Sequence, residues 1–190
     1  MLGMADFVSF ATPQDWADWL AVNHATETEV LVQMFKLASG LPSITWEQAV
    51  VEALVWGWID GIARTVDDIS WVQRFTPRRA KSGWSQRNRG HVERLIAEGR
   101  MQAPGLAAVA AAKADGRWEA AYSGKDFVVP PDFLAALAQA SAAAQAHFAG
   151  LTRQNQFAVY YRLTTAKRAE TRVKRVAEFV AMMERGEKFH

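Results

Sequence analysis

The runs of this chain that read as strands, rich in β-branched and aromatic residues, lie before residue 77, and beyond residue 100 the sequence carries Ala-rich, helix-forming stretches. Glu29 to Leu37 reads as a strand. Two shorter extended runs follow, Ile62–Val66 and Ile69–Phe75, separated by Asp67-Asp68. A two-residue turn there makes a hairpin that opposes Val66 with Ile69 and Arg64 with Trp71. Pro77 closes the second run, because it has no N–H to donate. The class this predicts is α+β: a small antiparallel sheet drawn from the first 76 residues and packed with helices, followed by a helical C-terminal half.

Local signals place the helices. Thr12-Pro13 supplies an N-cap and a proline at the first helical position, so a helix is expected over 13–23. Thr45-Trp46-Glu47-Gln48 fits a capping box and starts a helix over 46–57, which Asp60-Gly61 terminates. Its face carries Trp46, Val50, Ala53, Leu54 and Gly57. Ser85 caps a helix that runs to about 98, with Gly99 behind it. Pro104 opens a short helix, 116–129 is irregular, and Pro130-Pro131-Asp132 leads into an Ala-rich stretch to about 149. A last helix over 167–185 sets Val173, Val176, Val180 and Met183 on one face and pairs Glu170 with Lys174 at i,i+4. At 190 residues the prior is one domain, 1–190, with its sheet-bearing part over about 1–100 and its helical part over about 101–190.

Composition removes several chemistries. Cysteine is absent, which excludes disulfides, thiolate zinc sites and a cysteine nucleophile. The four histidines (His24, His91, His147, His190) have no ligand spacing, so no metal is expected, and no cofactor motif occurs: P-loop, dinucleotide fingerprint and hydrolase elbow are all missing. The first seven residues have neither a basic start nor an apolar stretch, and no apolar run approaches ~18–20 residues. The expectation is a cytoplasmic protein with no membrane insertion.

Net charge is only +2, yet residues 1–71 hold ten acids and two bases, and residues 72–100 hold eight bases and two acids. Residues 152–190 are basic again, with nine bases and four acids. Such asymmetry implies either pairing within the chain or a basic surface offered to an anionic partner.

The unusual segment is Trp56-Gly57-Trp58-Ile59-Asp60-Gly61, then Gln73-Arg74-Phe75-Thr76-Pro77-Arg78-Arg79, then Lys81-Ser82-Gly83-Trp84-Ser85-Gln86-Arg87-Asn88. It resembles the YdeI/OmpD-associated family, also labelled bacteriocin-protection proteins. That family pairs a helix ending in G-(W/F)-I-D-G with a strand and loop reading Q-R-(F/I)-T-P-R-(R/K)-x-x-S-x-W-S-x-x-N. The resemblance extends to Gly99-Arg100-Met101 and to Ala166–Arg172. It implies a fold and a general stress-resistance role; it assigns no catalytic residue.

Read from the residues themselves, Asp60 sits at a helix C-terminus, where the dipole disfavours a carboxylate, so a cation should hold it: Arg74 first, Arg78 second. Such a pair is either an architectural lock or part of a site in which Asp60 is the candidate acid/base. Arg74, Arg78, Arg79, Lys81, Ser82, Ser85 and Asn88 combine guanidiniums, an amine, hydroxyls and a helix start, the parts of an oxyanion site, with Trp84 as a stacking face beside them. The leading expectation is an anionic small-molecule ligand, phosphate or carboxylate. An enzyme using Asp60 is the second, and a nucleic-acid binder using both basic segments, with Arg168, Arg172 and Arg175 on one helix face, is the third. Oligomeric state is left open.

Overall fold

The computed structural model of the protein describes residues 7–189, which form two compact units, one extending to Tyr122 and the other beginning at Ser123. The segment before Phe7, read above for a leader, and His190 lie outside the described residues.

The first unit contains β1 (Val8–Ser9), α1 (Pro13–Asn23), β2 (Val30–Phe35), α2 (Trp46–Val55), β3 (Trp58–Thr65), β4 (Ser70–Pro77), α3 (Gln86–Ala97) and α4 (Ala103–Ala114). Both helix starts read from sequence form by reciprocal capping. Thr12 Oγ1 accepts the Asp15 N–H at 3.2 Å and the Asp15 carboxylate accepts the Thr12 N–H at 2.9 Å. Thr45 and Gln48 repeat the exchange at α2. Ser85 caps α3, and Gly99 follows it at φ 68°. The class is α+β, and β2, β4 and β3 pair antiparallel; the two-residue β1 adds parallel to β2, so the four-stranded sheet β1-β2-β4-β3 is mixed.

The hairpin differs from its expected register in an instructive way. Its turn spans four residues between Thr65 and Ser70, and one Asp67 carboxylate oxygen accepts the N–H groups of Ile69 and Ser70 and the Ser70 hydroxyl. The longer turn opposes Trp71 with Thr65, and Arg64 with Val72, rather than Arg64 with Trp71. Between Asp60 and Ala63 the register shifts: Gly61 and Ile62 together oppose Arg74, a β-bulge. Gln73, buried at 3% exposure, donates to the Gly61 carbonyl at 2.8 Å and holds that bulge.

The pleat then sorts the side chains. Val30, Val32, Met34, Trp58 and Phe75 join Trp16, Leu20, Ile44, Val50 and Leu54 in the core beneath the helices. Asp60, opposite Phe75, shares that helix-covered face. Arg74, opposite Leu31, is on the other face.

Helix α2 ends two residues before the expected position. Gly57 at φ 73° turns the chain into β3, a conformation that a Cβ would strain. Helix α4 begins against that end: Gln102 N–H donates to the Val55 carbonyl at 3.1 Å, and a Cβ on Gly105 would lie 2.3 Å from the same oxygen.

The second unit is helical: α5 (Pro131–Ala138), α6 (Ala142–Ala149), α7 (Arg153–Thr164) and α8 (Ala169–Glu184). The Ala-rich stretch expected as one segment is two helices, broken where Ser141 caps α6. Helix α7 carries no sequence signal of its own, because its polar residues interrupt any simple period. The core is Phe133, Leu137, Ala144, Phe148, Val159, Leu163, Phe179 and Met183. Phe179 replaces Val173 in the expected α8 stripe, and Val173 is 70% exposed. Lys174 pairs with Glu178, at 3.8 Å, rather than with Glu170.

Candidate functional site

The end of β4, the start of β3 and the first turns of α2 and α3 bring one charged cluster together in the first unit. Asp60 is the third residue of β3, not a helix terminus, so its environment is set by burial rather than by a helix dipole. Its Oδ2 accepts the indole N–H of Trp46 at 3.2 Å. Arg78 and Arg87 act on it through space. Burial nevertheless dominates and pushes the Asp60 carboxyl above the ordinary aspartate range, outweighing the indole bond and both guanidiniums.

Both guanidiniums are fixed on tryptophan rings. Arg78 lies 3.7 Å over the ring centroid of Trp84 and donates to the Gly83 carbonyl at 2.6 Å. Arg87 lies 4.4 Å over the ring of Trp46 and pairs with Glu47 at 3.2 Å. His91, one turn beyond Arg87 on α3, comes within 3.6 Å of Glu47, and burial holds its imidazole below the ordinary histidine range, so it is neutral near pH 7.

The predicted residues divide. Arg78 is in the cluster. Arg74 is not: it pairs with Glu29 at 2.6 Å on the opposite face of the sheet, because Asp60 opposes Phe75 and successive residues point to opposite faces. Arg79 and Lys81 are exposed on the loop between β4 and α3. The Ser82 carbonyl accepts Arg117 at 2.8 Å, which pins that loop. Trp84 is 2% exposed, edge-on to Trp118 and covered by Arg78, so it is a platform for Arg78. Its indole N–H is buried without a hydrogen-bond partner among the described residues. Ser85 spends its hydroxyl on the Asn88 N–H, the Gln86 N–H donates to the Tyr122 carbonyl at 2.9 Å, and Asn88 is buried. The opening of α3 is therefore largely occupied by its own chain.

Sequence reasoning passed over Trp46, Glu47, Arg87 and His91. The spacing of Arg87 and His91, one helical turn apart in a helix that packs on α2, carried a usable signal; the meeting with Glu47 and Trp46 did not show in sequence. No group of three metal-ligating side chains occurs among the described residues, and no described helix is long and apolar enough to cross a membrane.

In the second unit several of the late basic residues, Arg172, Arg175 and Arg153 among them, are engaged locally. Arg172 makes a two-pronged pair with Asp132, at 2.7 and 2.9 Å, and donates to the Leu163 carbonyl. That pairing holds Asp132 below its ordinary range. Arg175 donates to the Arg162 carbonyl, and Arg153 lies 3.8 Å over Phe127.

With this geometry in hand, the first unit is a small α+β domain with a charge cluster seated on tryptophan rings. Residues 8–108, more than half of the chain, match the family described as a domain of unknown function (DUF8412), and the chain belongs to that family. Residues 126–186 match the family described as bacteriocin-protection, YdeI or OmpD-associated, in agreement with the resemblance drawn from sequence. The Ala166–Arg172 motif falls inside this second match, and the 56–88 motif inside the first. No curated protein and no solved structure matches the chain.

Proposed function

We propose that the first unit binds a small molecule through an anionic group, phosphate or carboxylate, held by Arg78 and Arg87, with Arg79 and Lys81 extending the positive field at the rim. One observation carries this reading: two guanidiniums, each seated over a tryptophan ring, act on one half-buried carboxylate whose charge burial disfavours. Stacking fixes the orientation of a guanidinium, so less side-chain freedom is lost when it engages a ligand. The stress-resistance role attached to the bacteriocin-protection description belongs to the same proposal.

Titration of inorganic phosphate and of acetate, followed by tryptophan fluorescence, tests it. Wild type should bind saturably, and Arg87→Gln should weaken binding about tenfold, the usual scale for a charged hydrogen bond. Arg168→Gln in the second unit should change nothing. Absence of saturable binding, or equal binding by Arg87→Gln, would overturn the reading.

The raised proton affinity of Asp60 favours a second reading, in which that carboxyl transfers a proton in an enzyme acting on the same ligand. Turnover lost in Asp60→Asn with binding retained would distinguish it.

A further inference from the structure

We infer, resting on the anion-binding reading, that Glu47 is a built-in competitor for the anion at Arg87, and that a proton on His91 relieves the competition.

The geometry is a shared oxygen. Arg87 and His91 stand one turn apart on α3, and both face Glu47 in the first turn of α2. Glu47 Oε1 lies 3.2 Å from Arg87 Nη2 and 3.6 Å from His91 Nε2. The first contact is an ion pair. The second is longer than a hydrogen bond, and His91 Nε2 is buried with no hydrogen-bond partner among the described residues. One carboxylate oxygen therefore has one closed partner and a second that a single proton would close.

The Arg87 end of this trio is open to a ligand. Its side chain is 49% exposed and that of Glu47 58%. An ion pair so exposed is held weakly, because water screens it and two long side chains must be ordered to make it. The stack of Arg87 over Trp46 does not involve Glu47, so the guanidinium stays placed when the carboxylate lets go. An anion arriving at Arg87 displaces Glu47, and the work of displacement is subtracted from its affinity.

His91 sets how large that work is. A neutral imidazole brings no charge to Glu47; an imidazolium donates its Nε2–H into Oε1 and sets a second cation beside the same oxygen. The trio of Arg87, His91 and Glu47 then passes from no net charge to one positive charge, and the carboxylate keeps a partner after the anion takes Arg87. Burial opposes the proton, Glu47 from α2 favours it, and Arg87 and Arg94 from the same helix oppose it. The change accordingly falls in mild acid, below the ordinary histidine range. Asp60, on β3, is the other group here whose charge is lost as pH falls, so the test separates the two.

Sulfate is the probe, because it carries the same charge from pH 8 to pH 5 and any change in its affinity reports the protein. Wild type, followed by tryptophan fluorescence, should bind sulfate about fivefold more tightly at pH 5 than at pH 8, the lower end of the range for coupled sites. Coupling is reciprocal, so saturating sulfate should raise the His91 midpoint, followed by NMR of the imidazole, by about 0.7 pH unit. His91→Gln should lose most of the pH response. Glu47→Gln should bind sulfate about fivefold more tightly than wild type at pH 8. Equal affinity of Glu47→Gln and wild type at pH 8 would overturn the competition. A pH response as large in His91→Gln as in wild type would assign the proton to Asp60 and overturn the role of His91, as would a His91 midpoint that sulfate does not move. Absence of saturable sulfate binding by wild type at both pH values would remove the anion site itself. The midpoint shift is read on wild type, so a poorly folded variant does not blunt it.

Discussion

Asp60 shows how one residue's role turns on its exact place in the chain. Read as the end of a helix, it calls for a cation to offset the dipole; placed third in β3, it is instead a carboxylate that burial works against. The two settings predict opposite effects of Asp60→Asn on stability. With the folded value raised above the ordinary 3.8, the unfolded chain loses its proton more readily as pH rises. The stabilising contribution is thus complete below 3.8 and is lost as pH climbs through the folded value. Asn is neutral throughout and can still accept the Trp46 N–H. Asp60→Asn should therefore melt above wild type at pH 7, by roughly 2–4 °C for each kcal/mol recovered, with the gap closing toward pH 3.8. A melting temperature below wild type at pH 7 would mean that the two guanidiniums outweigh burial and that Asp60 is an architectural ion-pair partner.

At the scale of elements, the caps of α1, α2 and α3 were legible, while those of α6 and α7 and the contacts between elements were not. Thr12, Thr45 and Ser85 announce their helices because a cap is satisfied within four residues of chain. The hairpin register failed because it depends on the length of the turn and on a bulge held by Gln73 from the partner strand. The two offsets compensate: past the bulge, Asp60 opposes Phe75, the alignment that the two-residue turn would also have produced. The abutment of α4 on α2 is another such contact. Gly105 lets the two helices close to a separation at which a methyl group would meet the Val55 and Leu54 carbonyls at 2.3 and 2.9 Å. Gly105→Ala should cost about 1–3 kcal/mol, despite the better helix propensity of alanine, and lower the melting temperature by roughly 2–12 °C. An unchanged or raised melting temperature would show that α4 can shift away without loss. Since α4 and the α2 terminus also fix the start of β3, a measurable weakening of anion binding should accompany the loss.

Over the whole molecule, the uneven charge of the sequence resolves into pairing inside each unit. The acidic first third meets the basic segment through Glu29–Arg74, Glu47–Arg87 and Glu52–Arg100, and among the late bases Arg172, Lys174 and Arg185 meet Asp132, Glu178 and Glu187 while Arg153 and Arg162 lie over aromatic rings. Charges held this way make a poor electrostatic footprint for nucleic acid. An oligonucleotide titrated at two salt concentrations should show only weak binding, and Arg172→Gln with Arg175→Gln should lower stability without changing it. Strong, salt-sensitive binding lost in that double variant would restore the nucleic-acid reading.

What the sequence alone determined is whatever a short window of chain can satisfy: the α+β class, the starts of α1, α2 and α3, the resemblance to the YdeI/OmpD-associated family, and a basic loop containing Arg78. Tertiary structure alone decided which cation serves which carboxylate. A strand's side chains alternate between faces, so a one-residue change of register moves a group across the sheet. That is why Arg74 belongs to Glu29 on one face, while Trp46 and Arg87, fourteen and twenty-seven positions from Asp60, share with it the other.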